Sequence, residues 1–196
     1  MEICKSKIDN AYDLAVMHKE EIAFGFLSSI GVKFLKLLYK HLITHEITFV
    51  AIEGNEIVGF ISCSKNTKKL YKRFFINNIF RAIPVLITNV FSKRFIKGVI
   101  ENFLSLFKKK VSENKILPEL LSIAVKTKYR NNGIASLLIK KLEEELLKEK
   151  YNEYCVIAGN ELLEANSFYK KHGFLLNKKI RIHGKTDSNL YIKKLI

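Results

Sequence analysis

The order of hydrophobic and polar positions predicts strands and helices along the N-terminal part of the chain. A loose alternation over Met1–Ile8 predicts a strand, and helical spacing over Ala11–Phe24 and Phe26–Ile43 predicts two amphipathic helices. The period then changes to two over Ile47–Ile52 and Ile57–Cys63, which flank a Gly-Asn turn. This pattern is typical of a β-hairpin.

In the C-terminal part, short apolar runs alternate with longer amphipathic ones. The predicted elements are a strand at Leu120–Val125, a helix that carries Ile134–Leu146, a strand at Tyr154–Ala158, a helix that carries Leu162–Tyr169 and stops at His172 and Gly173, and strands at Phe174–His183 and Leu190–Leu195. The last two strands are expected to pair antiparallel. Helices and strands therefore alternate, as in α/β proteins.

The segment 65–115, between the hairpin and the next predicted strand, differs from the rest of the chain in charge. It carries 13 Lys and Arg against 2 Asp and Glu, a net charge of +11, whereas the whole chain has +15. Apolar positions at helical spacing over Phe75–Phe80 and Phe95–Phe107 predict two or three amphipathic helices here. Lysine outnumbers arginine 29 to 5 in the chain. This ratio disfavours nucleic-acid recognition, which relies on the arginine fork.

Length and composition exclude several classes of protein. With 196 residues, of which 48% are hydrophobic, the chain can build a single globular domain with a substantial core. Its best apolar stretch, Ala82–Phe91, covers ten residues, fewer than the ~18 to 20 of a membrane span. The N-terminal residues do not have the pattern of a signal peptide. Three scattered cysteines, Cys4, Cys63 and Cys155, argue against a disulfide framework or a metal site and favour a reduced cytoplasm.

The junction after Val125 carries the most informative motif. A short loop leads into Arg130-Asn131-Asn132-Gly133-Ile134-Ala135, where the long helix begins. Backbone N–H groups at a helix start attract anions, and small residues allow a phosphate to approach the backbone closely. The loop matches neither the Walker pattern nor the Gly-x-Gly-x-x-Gly fingerprint. It predicts a pyrophosphate site of another kind, and an ordinary strand-to-helix turn is the alternative.

A second motif follows one helix and one strand later. It consists of Asn160 and then Ala165-Asn166-Ser167-Phe168-Tyr169-Lys170-Lys171-His172-Gly173-Phe174. The two motifs and the order of elements resemble the GNAT superfamily of acetyl-CoA-dependent N-acyltransferases over about residues 1–64 and 116–196. The resemblance implies an α/β fold with a mixed, mostly antiparallel central sheet flanked by helices, in one domain spanning 1–196. The basic segment 65–115 would be a helical insertion within it, as in a bacterial branch of the family.

The resemblance also implies acetyl-CoA as co-substrate and no metal. The family pattern places the pyrophosphate on the backbone of Arg130, Asn131, Asn132, Gly133, Ile134 and Ala135, and the pantetheine arm against Ile123, Ala124 and Val125, with Asn160 on the opposite wall. The strand that ends at Val125 is expected to splay from Tyr154–Ala158. It is also expected to bulge near Ala124 or Val125, which would free an N–H for the thioester oxygen.

Two catalytic residues follow from the family pattern. Tyr169 occupies the position of the general acid that protonates the leaving thiolate, and Glu119 matches a position where some members hold the base. A core tyrosine and an edge carboxylate are the alternatives. Glu20 and Glu21 are further carboxylates near the expected acceptor site. His18, on the first helix, is expected at the surface rather than at the substrate.

The expected reaction is direct attack of a primary amine on acetyl-CoA in a ternary complex. The acceptor is expected to be a small amine such as an amino sugar or a nucleotide-linked amino sugar, and no nucleic-acid partner is expected. The alternatives are a protein or peptide amine, and a non-catalytic module that binds CoA or an anionic membrane surface. The segment 65–115 is interpreted first as a lid or homodimer surface, and second as a contact with anionic lipid or a phosphorylated substrate.

Overall fold

A computed structural model describes residues 1–22, 27, 31–88, 116–181 and 187–195 of the chain. The α-helices with described bounds are α1 (Ala11–Glu21), α2 (Val32–His45), α3 (Thr67–Thr88), α4 (Ile134–Lys148) and α5 (Leu163–Lys171). Short 3-10 turns at Ile8–Asn10 and Thr127–Tyr129 precede α1 and α4. No helix within the described residues combines the length and the apolar character needed to cross a bilayer.

Seven strands of the described residues form one sheet. They are β1 (Glu2–Lys5), β2 (Ile47–Glu53), β3 (Glu56–Ser64), β4 (Glu119–Val125), β5 (Glu153–Gly159), β6 (Leu175–Arg181) and β7 (Asp187–Lys194). Their order across the sheet is β1-β2-β3-β4-β5-β7-β6. All neighbours are antiparallel except β4 and β5, which are parallel. The predicted mixed, mostly antiparallel sheet is confirmed.

Most predicted elements agree with the structure, and the differences lie at their ends. Strand β1 ends before the predicted Ile8, because a 3-10 turn leads from there into α1. Helix α3 is one of the helices predicted for the basic segment, and it continues past Pro84. The predicted start of the second helix at Phe26 lies outside the described residues, as does the helical pattern of Phe95–Phe107.

Strands β4 and β5 pair only where they begin. Glu119 pairs with Cys155 and Leu120 with Val156, and no later pair joins the two strands. Beyond this point β4 pairs with β3 alone and β5 with β7 alone. The strands therefore splay, as expected, and leave an opening in the middle of the sheet.

The β-bulge of β4 lies nearer the start of the strand than expected. The register with β3 shifts at Leu121, directly before the Ser62–Ser122 pair. The expectation of a bulge near Ala124 or Val125 is wrong, because the register is regular from Ser122 to the end of β4. A bulge adds one residue to a strand, so Leu121 and Ser122 both face the same side of the sheet.

The sheet separates two apolar clusters. Helices α4 and α5 cover one face, where Leu138 and Tyr154 are buried, and α1, α2 and α3 cover the other, where Leu35 and Phe74 are buried. Burial of such side chains, at roughly 25 cal/mol per Å² of apolar surface, holds the helices on the sheet. The two faces are called the α4 face and the α2 face below.

Candidate active site

The turn before α4 exposes backbone N–H groups. Asn131 and Gly133 have φ angles of 64° and 75°, and Gly133 is the N-cap of α4. Glycine adopts this left-handed conformation without strain and has no side chain to cap the helix. The first N–H groups of α4 have no acceptor within the helix and lie at the positive end of its dipole. The predicted pyrophosphate residues 130–135 form this turn, and its geometry suits an anion.

A glycine on β3 brings the start of α4 close to the sheet. A Cβ on Gly59 would lie 3.1 Å from the Ala124 carbonyl oxygen and 3.3 Å from Cγ2 of Ile134. Both separations are too short for an unstrained side chain. The missing side chain therefore lets the start of α4 lie close against β3.

Arg130 does not extend freely from the turn, because Glu21 at the end of α1 binds it. Nη2 of Arg130 lies 2.8 Å from Oε2 of Glu21, and Nε donates to the Val125 carbonyl at 3.2 Å. Thr127 donates its N–H and its hydroxyl to the same carboxylate at 3.1 and 2.9 Å. Glu21, expected near the acceptor site, is instead bound to this loop. An anion at the turn would consequently depend on backbone groups.

Two lysines beside the turn are also paired. Lys126 and Lys128 place Nζ at 2.7 and 2.9 Å from the two carboxylate oxygens of Glu56, and the Tyr129 hydroxyl donates to it at 2.9 Å. Hydrogen bonds from these three groups lower the pKa of Glu56 to about 2. The carboxylate thus stays ionised and holds the loop to β3.

Ile123, Ala124 and Val125 lie along the β4 edge of the opening. One side of this stretch pairs with β3, while the other has no strand partner among the described residues. Val125 is buried on the α4 face with Ile123 packed nearby, and Ala124 is buried on the α2 face. The backbone N–H and C=O groups of such an edge can bond an extended chain as an added strand would.

The turn after β5 is held by an asparagine to which the motif assigned no role. Nδ2 of Asn166 donates to two carbonyls of this turn at 2.8 and 2.7 Å. Its Oδ1 accepts from Asn189 and from the Tyr191 hydroxyl at 2.9 and 2.8 Å. The predicted Asn160 lies exposed at the same turn, and its Oδ1 accepts from Asn189 at 3.3 Å. Asn166 is therefore a buried residue that stabilises the turn, and Asn160 lies at the exposed surface of the turn.

Tyr169 lies on the inner side of α5, within the cluster of the α4 face. It is 7% exposed, and its ring contacts Phe174 edge-on with 5.4 Å between centroids. Burial raises the pKa of its phenol well above the usual value, so the hydroxyl keeps its proton at neutral pH. Its hydroxyl has no hydrogen-bond partner among the described residues. The proton is thus available to a ligand.

Glu119 lies on the α2 face, in a cleft of about 90 Å³ beside the bulge. Its Oε2 accepts a hydrogen bond from the Thr67 hydroxyl at 2.9 Å. Burial, and then the charge of Glu119, raise the pKa of the neighbouring Tyr71. The remaining lining consists of two tyrosines, a serine and five leucines: Tyr39, Tyr71, Ser122, Leu27, Leu38, Leu42, Leu70 and Leu121. A carboxylate in such a lining attracts an ammonium group.

The predicted site residues therefore form two groups on opposite faces of the sheet. Tyr169, Val125 and the turn 130–135 lie on the α4 face, whereas Glu119 lies on the α2 face. The opening between β4 and β5 lies between them. Among the described residues, no group of three or more His, Cys, Asp or Glu side chains is placed to hold a metal ion.

Sequence reasoning missed the polar residues of the α2 face. Tyr39 and Ser122 line the cleft, but along the chain they look like ordinary helix and strand residues. The expectation that His18 lies at the surface is wrong. It is 3% exposed, and its Nδ1 lies 2.6 Å from the Tyr39 hydroxyl. Only the packing of α1 on α2 brings His18 and Tyr39 together.

Comparison with known proteins gives a match to one sequence family. Residues 96–175 match the family model of the acetyltransferase (GNAT) domain. This range contains β4, α4, β5 and α5, and the strands β4 and β5 are the two edges of the opening. No curated protein sequence matches the chain significantly.

Solved structures share the fold over nearly the whole chain. An N-acetyltransferase from Staphylococcus aureus Mu50 has a TM-score of 0.63 and 16% identity, over 98% of this chain and 100% of its own. The ribosomal-protein-S18-alanine N-acetyltransferase from Escherichia coli has a TM-score of 0.62 and 12% identity, over 99% of this chain and 93% of its own. The paiA N-acetyltransferase from Thermoplasma acidophilum, in complex with coenzyme A, has a TM-score of 0.58 and 13% identity, over 98% of this chain and 98% of its own. At these identities the likeness shows the fold alone.

Proposed function

We propose that this chain is an acetyl-CoA-dependent N-acetyltransferase of the GNAT superfamily and that it acetylates the primary amine of a small molecule. The observation that carries the proposal is the opening between β4 and β5, with the glycine-capped start of α4 on one face and a cleft that contains Glu119 on the other. A thioester in the opening can be approached from both faces. Both substrates can then be bound together, as direct transfer in a ternary complex requires.

On the α4 face, backbone groups would hold acetyl-CoA. The N–H groups of residues 130–135 would bind the pyrophosphate, and the open edge of Ile123–Val125 would bond the amides of the pantetheine arm. Asn160, at the rim of β5, would bond the arm from the other side. The left-handed Gly133 and the close approach at Gly59 support this assignment, because the N-cap has no side chain and the start of α4 lies close to the sheet.

On the α2 face, Glu119 would bind the amine and act as general base. The ammonium group loses one proton to Glu119, and the neutral nitrogen attacks the thioester carbonyl carbon, whose oxygen is polarised by N–H groups of the open β4 edge. The C–S bond then breaks as Tyr169 donates its proton to sulfur. The second nitrogen proton passes to water, and Tyr169 regains a proton from solvent. The products are the N-acetyl amide and the free thiol of CoA.

We propose an amino sugar or a nucleotide-linked amino sugar as the acceptor. Since the cleft is small, it admits little more than the end that carries the amine. Leu70 and Tyr71 of α3 form part of its wall, so the basic segment 65–115, which we interpret as an insertion, borders the acceptor. Lys68 and Lys72 are exposed on the same helix. The net charge of +11 on the segment 65–115 would attract an acceptor that carries phosphate.

A second candidate is the N-terminal amine of a polypeptide. The fold likeness to the Escherichia coli enzyme that acts on the alanine of ribosomal protein S18 favours it. A peptide acceptor needs an open groove that admits the main chain that follows the N-terminal amine. The wall that α3 adds to the cleft favours the small molecule instead.

Acetyl-CoA binding by calorimetry is the first test, followed by release of CoA thiol with glucosamine, a nucleotide-linked amino sugar, spermidine and an alanine-initiated peptide. We expect binding, and turnover with an amino sugar. Turnover with the peptide alone would replace the proposed acceptor by the second candidate. Binding without thiol release from any amine would instead indicate a non-catalytic CoA-binding module, and no binding would contradict the assignment of the turn.

A further inference from the structure

A second cavity lies at the end of the sheet where β3 ends and β4 begins, and it is called the distal cavity below. Its volume is about 500 Å³. Its lining comes from the end of α2, the start of α3, the segment before β4 and the residues directly after α4. Small-molecule sites occupy about 300–1,000 Å³. The distal cavity therefore has room for a small organic ligand.

The distal cavity is separate from both parts of the proposed active site. It lies at the end of α4, whereas the turn 130–135 lies at its start, and the 15 residues of α4 span about 22 Å. Helix α3 contributes Lys69 and Arg73 to the cavity. Leu70 and Tyr71, on another side of the same helix, line the cleft of the α2 face. One helix thus borders two different sites.

Two cations of the distal cavity are unpaired within the part of the chain that the structure describes. Lys69 and Arg73 lie four positions apart, so their exposed side chains share one side of α3. No described carboxylate forms a salt bridge with either of them. The third cation, Lys65, is bound instead, because its Nζ lies 3.2 Å from Oε2 of Glu149. Two positive charges are therefore available to a ligand.

The two carboxylates of the distal cavity are already held by Lys65. Glu149 binds its Nζ, and Oε2 of Glu46 accepts its main-chain N–H at 2.9 Å. An ionised carboxylate has about four lone-pair positions, so each can still accept hydrogen bonds from a ligand. Tyr151, in the same lining, adds an aromatic surface. The wall thus combines acceptors for hydroxyl groups with two unpaired cations.

We propose that the distal cavity binds a phosphorylated sugar. A phosphate monoester carries a charge of about −1.5 to −2 at neutral pH, which matches the charges of Lys69 and Arg73. Its oxygens accept hydrogen bonds from the guanidinium fork and from the ammonium group. The sugar hydroxyls donate to Glu46 and Glu149, and the sugar ring packs against Tyr151. A bare phosphate would leave these three residues unused.

Calorimetry of the full chain with glucose 6-phosphate and ribose 5-phosphate tests the proposal. Acetyl-CoA is present in excess, so that the proposed anion site before α4 is occupied. We expect one sugar phosphate to bind per chain. Lys69→Ala and Arg73→Ala should each weaken this binding at least about tenfold, since each removes a charge-assisted hydrogen bond. If neither sugar phosphate binds, the proposal is overturned.

Two neighbouring lysines of α3 provide matched controls. Lys68 and Lys72 are exposed and lie outside the lining of the distal cavity. Lys68→Ala and Lys72→Ala therefore remove the same charge from the same helix, and each should change the affinity by less than about twofold. A loss as large as that in Lys69→Ala and Arg73→Ala would overturn the proposal. It would show only a general attraction to the basic segment.

Two further measurements test the ligand class and the location of the site. Inorganic phosphate should bind at least about tenfold more weakly than the sugar phosphate, and equal affinities would overturn the sugar assignment. Glu119→Gln should leave the affinity unchanged, whereas a loss would place the ligand in the cleft of the α2 face and contradict the proposal. None of these measurements needs acetyl transfer, so failure of the proposed function and failure of this proposal are distinguishable.

Discussion

The two faces of the opening are built from different kinds of groups. On the α4 face, one continuous stretch, residues 123–135, supplies an open strand edge and a helix N-terminus, and neighbouring carboxylates pair Lys126, Lys128 and Arg130. On the α2 face, side chains from α2, α3 and β4 converge on one cleft. The first face offers mainly backbone groups, and the second mainly side-chain groups.

This difference suggests a division of specificity. A site made of backbone N–H groups accepts any ligand with the right phosphate geometry and changes little when side chains change. A cleft made of side chains can change its ligand by single substitutions. The α4 face thus suits a constant co-substrate, and the α2 face suits the acceptor that distinguishes one enzyme of this fold from another.

The largest expected effect comes from the carboxylate of the α2 face. Glu119→Gln keeps the size of the side chain but removes the proposed base, so kcat should fall by about 10²- to 10⁴-fold. Acetyl-CoA affinity, which depends on the α4 face, should stay the same by calorimetry. Glu161→Gln, at an exposed position, is the control. A loss of acetyl-CoA binding in Glu119→Gln would show that the two faces are not independent.

The next effect concerns pH and again comes from the α2 face. The folded chain holds His18 at a pKa of about 4 against 6.5 for the free side chain, so the unfolded state takes up its proton first as the pH falls. The contribution of His18 to stability is complete above pH 6.5 and declines toward pH 4, by about 3 kcal/mol in total. Urea unfolding of the wild type and His18→Asn at several pH values measures this change. If the free energy of unfolding had the same pH dependence in both proteins, this prediction would be contradicted.

A smaller effect tests the backbone character of the α4 face. Gly133 and Gly54 both have positive φ, 75° and 60°, and a Cβ on either would meet nothing within 4 Å. Alanine at either position should therefore cost about 1 kcal/mol of stability through backbone strain alone. Only Gly133→Ala should also weaken acetyl-CoA binding, by about tenfold, because it distorts the turn. Equal acetyl-CoA affinities in the two variants would contradict the assignment of the turn to the acetyl-CoA site.

The smallest effect is expected at Arg130. Its guanidinium is bound to Glu21 and is partly exposed, so Arg130→Met should cost less than about 1 kcal/mol of stability. Acetyl-CoA affinity should fall by less than about threefold, since the proposed anion site consists of backbone groups. Calorimetry of Arg130→Met against Lys128→Met checks this. A loss of a hundredfold in Arg130→Met alone would mean that the arginine releases Glu21 and binds the phosphate directly.

Much of the fold and of the α4 face could be predicted because their signals are local. Periodicity located the strands and helices with bounds described here, and Gly133 marked a turn whose conformation favours glycine. The position of the bulge was not predictable, because a bulge depends on the register between two strands rather than on the sequence of either. His18 was misplaced for a similar reason, since the pattern of α1 alone does not show that α2 covers it.

The sequence by itself determined which segments form helices and strands, and where a left-handed turn begins α4. Both depend on residues within a few positions of one another, so hydrophobic period and glycine geometry suffice. The tertiary structure decided that Glu21 binds Arg130 and that His18 is hydrogen-bonded to Tyr39. These contacts join residues about 20 to more than 100 positions apart, and only the burial of helices on both faces of the sheet brings them within hydrogen-bonding distance.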